Sequence, residues 1–365
     1  MAEFTFELRV CQWAERAWPP GSGGTDDTAA GAADRSSAVV VARQLGTEYR
    51  RWDTVVVECD PEGLRRRARF GERELDSDLL HVVRNAPAEW AWYRDALPDP
   101  GYPWRYVRAA VHRAADRGLV ERRRGSNDRV ELRRKWAYPD WVRRVVAVEN
   151  KPDLNASAAR DLAPQLERDV ALALADEVWV ATGETGAAVE PALLEDVPVE
   201  AGVLTVDATG EAAVAWHPRR LAVDEPGTRI LERPDGARGR GRGREKAGDR
   251  DAGDRDASAA RFEYADPDWK ADKRLEIAER AYGKGWRAYD FPGCVHAEAT
   301  PDGRPYCAQF DCVVKASRRC GSGCAAYESS PKPDVDVERL RDERTPWRRD
   351  PPGVVRRQSG LDRFG

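Results

Sequence analysis

Glu149 and Lys151 stand two apart at the end of the run Val145-Val146-Ala147-Val148-Glu149-Asn150-Lys151. Strand residues alternate faces, so Glu-x-Lys fixes a carboxylate and an amine side by side on one face. The four apolar residues before them read as a buried strand, and charges at its end mark where that strand opens into a site, because sheet cores do not keep idle charges. The choice of lysine carries information of its own. Of 60 Lys+Arg only eight are lysine, and only Lys135 and Lys151 precede residue 246. In a chain that nearly always places arginine, an amine at 151 points to chemistry needing a shiftable pKa, which guanidinium lacks. The plainer reading is a surface ion pair at a strand end.

A second group with chemical potential lies downstream. Cys294, Cys307, Cys312, Cys320 and Cys324 fall within 31 residues, with His296 beside the first, and they make up five of the chain's seven cysteines. An odd, uneven set argues for reduced thiols or a metal site over a disulfide framework. Four thiolates on one structural zinc is the simplest metal reading, with Gly321 and Gly323 allowing a tight knuckle. An iron–sulfur cluster is its rival, and buried unligated thiols are the third possibility.

The elements that must position these groups follow from pattern. After strand 145–151 and a Pro152-Asp153 turn, a helix over 161–176 repeats Leu166, Val170 and Leu174 every four residues, with Pro164 suited to its first turn. Ala175 to Thr182 reads as the next strand, and 202–206 with 213–216 as a hairpin. Upstream, Ala38–Ala42 and Thr54–Val57 flank Gly46 as a strand pair of the same sheet, with Asp53 at the mouth of the second. Glu58 is a rival acid, but its odd separation from Asp53 puts it on the opposite face. Residues 4–18 suit an amphipathic helix with Leu8, Cys11, Ala14 and Trp18 on its stripe and Trp13 off it.

This order of Glu-x-Lys strand, helix and strand resembles the PD-(D/E)XK nuclease superfamily, and most closely RecB-like and MmcB-like DNA-repair nucleases. The resemblance covers roughly residues 1–60 and 142–220. It implies an α/β fold with a restriction-endonuclease-like mixed sheet flanked by helices, and metal-dependent hydrolysis of DNA phosphodiesters in repair or replication. By the same resemblance Asp53, Glu149 and the Asn150 carbonyl hold Mg²⁺ (or Mn²⁺), Lys151 orients or deprotonates the attacking water, and Gln165 on the following helix lines the site. A hard cation prefers such oxygens and both acidifies water and neutralises charge on the scissile phosphate. Two features depart from the pattern: Trp52 stands where the motif name has Pro, and 96 residues separate Asp53 from Glu149. Some members of the superfamily clamp the C-terminal segment with a four-Cys iron–sulfur cluster that borrows one ligand from the N-terminal region, where Cys11 would be available.

An inserted module over 74–135 accounts for the long gap. Leu79–Val83, Trp90–Tyr93 and Trp104–Ala115 read as three short helices, and 118–132 as a hairpin, which is the order of a winged helix. Residues 102–135 carry eleven basic residues against four acids, in a chain of net charge −4. Such a local footprint fits phosphate contacts, with Arg105, Arg108, Arg113, Arg122, Arg123, Arg124, Arg133 and Lys135 as candidates for binding DNA. A protein-binding winged helix with a solvated Arg face is the alternative.

The nuclease-like core therefore spans 1–73 and 136–230, with a disordered insertion at 19–37, a Gly/Arg and Asp/Arg linker at 233–259, a Cys-rich module at 260–327 and a disordered tail at 328–365. Charged residues at 34% and an Asp- and Arg-rich bias resemble haloarchaeal proteins, although the pI of 5.8 is high for them. The opening residues lack a signal-peptide pattern and no long apolar run follows, so the expectation is a cytoplasmic protein with no membrane span. At the C-terminus, Gln358, Leu361 and Phe364 form a Gln-x-x-Leu-x-x-aromatic pattern that resembles the peptide with which repair enzymes hold the sliding clamp PCNA. A second functional class fits the same elements: a non-catalytic winged-helix DNA-binding regulator or scaffold on a nuclease-like platform.

Overall fold

A computed structural model describes residues 3–20, 38–47, 50–183, 196–232, 261–337 and 339–340. The insertion expected at 19–37 (from residue 21 on), the linker at 233–259 and the clamp-like Gln358, Leu361 and Phe364 lie outside the described residues.

The chain opens with helix α1 (Glu3–Ala17), then antiparallel strands β1 (Ala38–Gly46) and β2 (Arg51–Cys59). Helix α2 (Pro61–Arg67) starts at Asp60, whose carboxylate accepts from the Gly63 amide at 2.6 Å. Helix α3 (Ser77–Asn85), strand β3 (Ala91–Trp92), the turn α4 (Tyr93–Ala96), helix α5 (Trp104–Asp116) and the hairpin β4 (Val120–Arg124) and β5 (Val130–Arg134) follow. Strand β6 (Val142–Lys151), helix α6 (Ala156–Leu172), and strands β7 (Glu177–Gly183), β8 (Gly202–Val206) and β9 (Ala212–Trp216) come next. The last elements are β10 (Gly227–Glu232), β11 (Arg261–Ala265), helix α7 (Pro267–Lys284), the short strands β12 (Ala297–Ala299), β13 (Pro305–Cys307) and β14 (Cys312–Val313), and the turn α8 (Ala316–Arg319).

Six strands form one mixed sheet in the order β1-β2-β6-β7-β8-β9. The central trio β6, β7 and β8 is parallel, as the crossover through α6 requires, and the outer pairs are antiparallel. Both faces are covered, which explains why β6 is apolar on both. Val145 and Ala147 face a core with Leu162 and Leu166 of α6 and Ile277, Ala278 and Ala281 of α7. Val146 and Val148 face Phe6, Leu8, Val10 and Cys11 of α1.

Three expectations change here. Trp13 is buried and stacks edge-on against Trp18 at 5.6 Å, because α1 is covered on more than the one side its Leu8 stripe faces. Helix α6 begins at Ala156, where Asn155 accepts from the amides of Ser157 and Ala158, so Pro164 sits in the helix interior and removes one backbone hydrogen bond there. Helix α7 supplies core residues to the main sheet, so packing does not change at residue 260, where the Cys-rich module was expected to start.

Residues 75–134 surround a separate core of Leu79, Val82, Val83, Val107, Val111 and Leu132. The Trp90–Tyr93 segment, expected to be helical, contains the strand β3, which pairs with β5 in a three-stranded sheet of order β3-β5-β4. A fully buried ion pair between Arg67 of α2 and Glu279 of α7 lies where this unit meets the main core. Glu279 also accepts from Tyr138 Oη at 2.6 Å and from the Leu75 amide at 3.0 Å, while Arg67 donates to the carbonyls of Gly71 and Arg73.

Candidate functional site

The C-terminal end of β6 lies beside the start of β2. Regular alternation would continue through both strands, yet Ala42 and Leu45 share one core, as do Trp52 and Val55, so β1 and β2 each change face at Gln44 and Asp53. Gln44 carries the strain of this irregularity with φ of 53°. The consequence is to aim Asp53 along the sheet. Its Oδ2 accepts from the Asn150 amide at 3.0 Å, and its Oδ1 accepts from Gln44 Nε2, also at 3.0 Å. Because N–H and C=O of an extended residue point toward the same neighbouring strand, the Asn150 carbonyl opens on the same side as Asp53. The Asn150 side chain is fully buried on the α1 face, where its amide donates to Thr54 Oγ1 at 2.9 Å.

Glu149 is 4% exposed and accepts from Arg50 Nη2 at 2.7 Å. The same guanidinium holds Asp169 of α6, with Nε at 3.1 and 3.0 Å from its two oxygens and Nη2 at 2.9 Å. One arginine thus bridges two buried acids, with Asp53 adding a third negative charge nearby. Burial pushes the Glu149 carboxyl up to about 8; Arg50 opposes that shift, and Asp53 and Asp169 add to it. Burial likewise pushes Asp169 up against the pull of Arg50.

Lys151 is placed differently from its neighbour. Its ion partner is Glu3 of α1, with Nζ 3.7 Å away, and its side chain is one-third exposed. The amine expected beside Glu149 therefore leans over the strand end, and the cation on Glu149 is Arg50. Gln165 is exposed, while Asp169 one turn later is the polar residue α6 buries at the site. Asp169 was legible: it follows Ala159, Leu162 and Leu166 on the buried stripe, and a charge on such a stripe needs a partner. Arg50 carried no such signal in an arginine-rich turn. Glu58 accepts from Trp18 Nε1 at 2.8 Å and from Arg144 Nε at 2.7 Å, at the other end of β2 and away from this site.

Among the described residues no group of three or more His, Cys, Asp or Glu side chains is disposed to hold a metal ion. The donor set at the sheet end nevertheless fits a hard cation in kind, since Asp53, Glu149 and Asp169 are all carboxylates and two of them, Glu149 and Asp169, already share a cation, Arg50.

The basic residues of the inserted module divide into two sets. Arg113 pairs with Asp76 at 3.0 Å, Arg123 with Glu131 at 2.7 Å, Arg124 with Asp128 at 3.0 Å and Arg133 with Glu121 at 2.5 Å. Arg123 and Arg133 also pack over the Trp90 ring, 4.5 and 4.8 Å from its centre. Arg105, stacked on Tyr106, and Arg108, Arg122 and Lys135 are exposed, with no acidic partner among the described residues. The local charge excess expected from 102–135 is thus partly spent inside the module, through acids that include Asp76 on α3.

All five clustered cysteines line one cavity of about 640 Å³, together with His296, Arg318 and Arg319. Burial pushes the Cys320 thiol up, and Cys307, Cys294, Cys324 and Cys312 add to that shift, so the five share one electrostatic neighbourhood. Cys11 is elsewhere: its sulfur lies 3.3 Å from Thr54 Oγ1 under the sheet, and burial raises its thiol to about 12. It falls on the α1 stripe that faces the sheet and does not line the cavity.

No helix among the described residues is long and apolar enough to cross a membrane. A family model described as a family of unknown function (DUF5787) matches residues 40–329. Among curated proteins and among solved structures, none matches.

Proposed function

The chain belongs to the DUF5787 family, and from the carboxylate site it carries we propose that it is a divalent-metal-dependent hydrolase of DNA phosphodiesters with a PD-(D/E)XK-like core. The observation that carries this reading is the meeting of Asp53 and Glu149, 96 positions apart in sequence, at one sheet end, with Asp53 held on the amide of the residue between Glu149 and Lys151. The strand irregularity leaves the Asp53 carboxylate at the sheet end, where its charge adds to the upward shift of buried Glu149.

Asp53, Glu149 and Asp169, with the Asn150 carbonyl, would hold Mg²⁺ or Mn²⁺ in exchange for Arg50. When bound, such a cation supplies positive charge against the phosphate and lowers the pKa of water. Arg50, once released, is a fork-shaped donor within reach of a phosphate. Lys151 sits on a flexible stem at the strand end, held among the described residues by a long contact to Glu3, and can turn to position or deprotonate the attacking water. Gln165, exposed one turn before Asp169, faces solvent near the same mouth.

The order helix, strand, helix, helix, hairpin over 77–134, with β3 pairing β5, supports a winged-helix reading of the inserted module. Its DNA contacts then rest on Arg105, Arg108, Arg122 and Lys135, since Arg113, Arg123, Arg124 and Arg133 serve internal pairs first. A second reading, a DNA-binding scaffold without catalysis, is favoured by one observation: Arg50 already occupies the Glu149 and Asp169 carboxylates.

A panel of supercoiled, single-stranded and branched DNA with Mg²⁺ or Mn²⁺ separates the two. Cleavage should appear with the intact chain and fall at least about 100-fold in Glu149→Ala and Lys151→Ala. Because the Lys151 pair is long and partly exposed, Lys151→Ala should change stability by no more than about 0.5 kcal/mol, so its loss of activity reports chemistry. Full activity in both variants would overturn the site; tight DNA binding with no cleavage under either metal would leave the scaffold.

A further inference from the structure

Arg43 and Gln44 are consecutive residues of β1, and consecutive strand residues ordinarily point to opposite faces. Here both reach one carboxylate on α1. Arg43 forks onto Glu7, Nε donating to Oε1 at 3.0 Å and Nη2 to Oε2 at 2.9 Å, and Gln44 Nε2 donates to Glu7 Oε1 at 2.8 Å. The backbone of Gln44 makes this possible, since its φ of 53° breaks the alternation at that one residue. The same conformation brings the carbonyls of Arg43 and Gln44 to one side, where Lys284 Nζ of α7 donates to them at 2.9 and 3.2 Å. Glycine would adopt this φ without strain, whereas glutamine is held in it by its surroundings.

What glutamine adds is its amide. In the register that sets Arg43 opposite Thr54 and Leu45 opposite Trp52, Gln44 lies across from Asp53, and its Nε2 donates to Asp53 Oδ1 at 3.0 Å. An amide nitrogen carries two hydrogens and carboxylates only accept, so one N–H serves Glu7 and the other Asp53. The flipped amide would turn its oxygen on both acids. Glu7 is itself fixed, being 6% exposed and gripped at both oxygens by Arg43. The contacts from Arg43 through Glu7 and Gln44 thus end on the carboxylate whose other oxygen rests on the Asn150 amide. Asp53 cannot rotate without breaking one of these two bonds.

We propose that Gln44 is a positioning residue of the carboxylate site, fixing the direction in which Asp53 is presented to a divalent cation. This deepens the hydrolase reading and rests on it. A ligand carboxylate that is already held loses less freedom when the cation binds, and partners behind the ligands set affinity for that reason. Gln44 need touch neither cation nor DNA; it acts through Asp53.

Gln44→Gly in the full chain removes the amide and suits the backbone. Titration with Mn²⁺, followed by the magnetic resonance signal of the free ion, should give a dissociation constant about 10- to 100-fold weaker than wild type. The Tm in EDTA should stay at or above that of wild type, because strain is relieved. In cleavage, the Mn²⁺ concentration for half-maximal rate should rise by a similar factor with KM for DNA unchanged. A lower Tm in EDTA with wild-type Mn²⁺ affinity would show a merely structural role and overturn the proposal. If Gln44→Gly fails to fold, Gln44→Asn tolerates the same φ but is one methylene too short to span Glu7 and Asp53, and it should show the same weakening. Combined with Asp53→Asn, Gln44→Gly should weaken Mn²⁺ binding no further than Asp53→Asn alone, and additive losses would overturn the proposal. Wild type that neither binds Mn²⁺ nor cleaves DNA overturns the hydrolase reading and this inference with it. Wild type that does both, beside an unaltered Gln44→Gly, overturns this inference alone.

Discussion

Two arginines, each paired with buried acids, organise two different regions of this molecule. Arg67 meets one acid, Glu279, and the pair is fully buried; each partner's remaining polar atoms have backbone or Tyr138 partners. Arg50 meets two acids, with Asp53 adding a third negative charge nearby, and its own side chain is 17% exposed. The first arrangement is balanced and sealed, as a structural joint must be, because an unpaired charge there would have nowhere to go. The second carries surplus negative charge near an opening. Such a surplus costs stability and is retained where another cation or a proton has work there.

Breaking the joint should have the largest effect. Arg67→Ala strands Glu279 in a dry interior and should cost about 3–5 kcal/mol, measured by urea unfolding, with the 75–134 unit loosening first in hydrogen exchange. Arg50→Ala should cost less, about 1–3 kcal/mol, since the acids left behind can take up protons or ions from the opening. The comparison sharpens in its response to metal: millimolar Mg²⁺ or Mn²⁺ should raise the Tm of Arg50→Ala more than that of wild type, because removing the arginine frees the acids for a cation. An equal rise in both would mean that Arg50 and the cation do not share a site, and would return Arg50 to the class of Arg67.

The smallest effect concerns pH. The folded chain keeps a proton on Glu149 up to about 8, whereas an unfolded glutamate releases it near 4.5. Between those values the folded state binds more protons, so stability falls as pH rises through that window and levels off above it. Glu149→Gln should flatten that part of the curve of unfolding free energy against pH, leaving the slope outside the window as in wild type. An unchanged slope would show that Glu149 is ionised throughout.

What the sequence determined is local. Val145 to Val148 forms a buried strand because β-branched and small residues fill a sheet covered on both faces, and Glu149 marks where that strand stops being core. The helix–hairpin unit was legible in its periodicity and its Gly125-Ser-Asn-Asp turn region, and helix α7 in its Leu275, Ala278 and Tyr282 stripe, although it runs on through Gly283, a residue that reads as a stop. The clustering of five thiols was visible in their spacing alone. Tertiary structure decided the rest, because it depends on groups far apart in the chain. Alternation put Lys151 beside Glu149, yet at the strand end Lys151 is paired on one side, with Thr182 of β7, and its side chain leans to Glu3. Nothing in the run of arginines singled out Arg50, since which guanidinium is drawn inward depends on Asp169, 119 positions later. The same holds for Asp53, whose direction is set by an irregularity at Gln44 on the neighbouring strand, and for Cys11, taken under the sheet by the face of α1 on which it falls. Periodicity fixes which side of an element a residue occupies; only the packing of elements decides which charge meets it there.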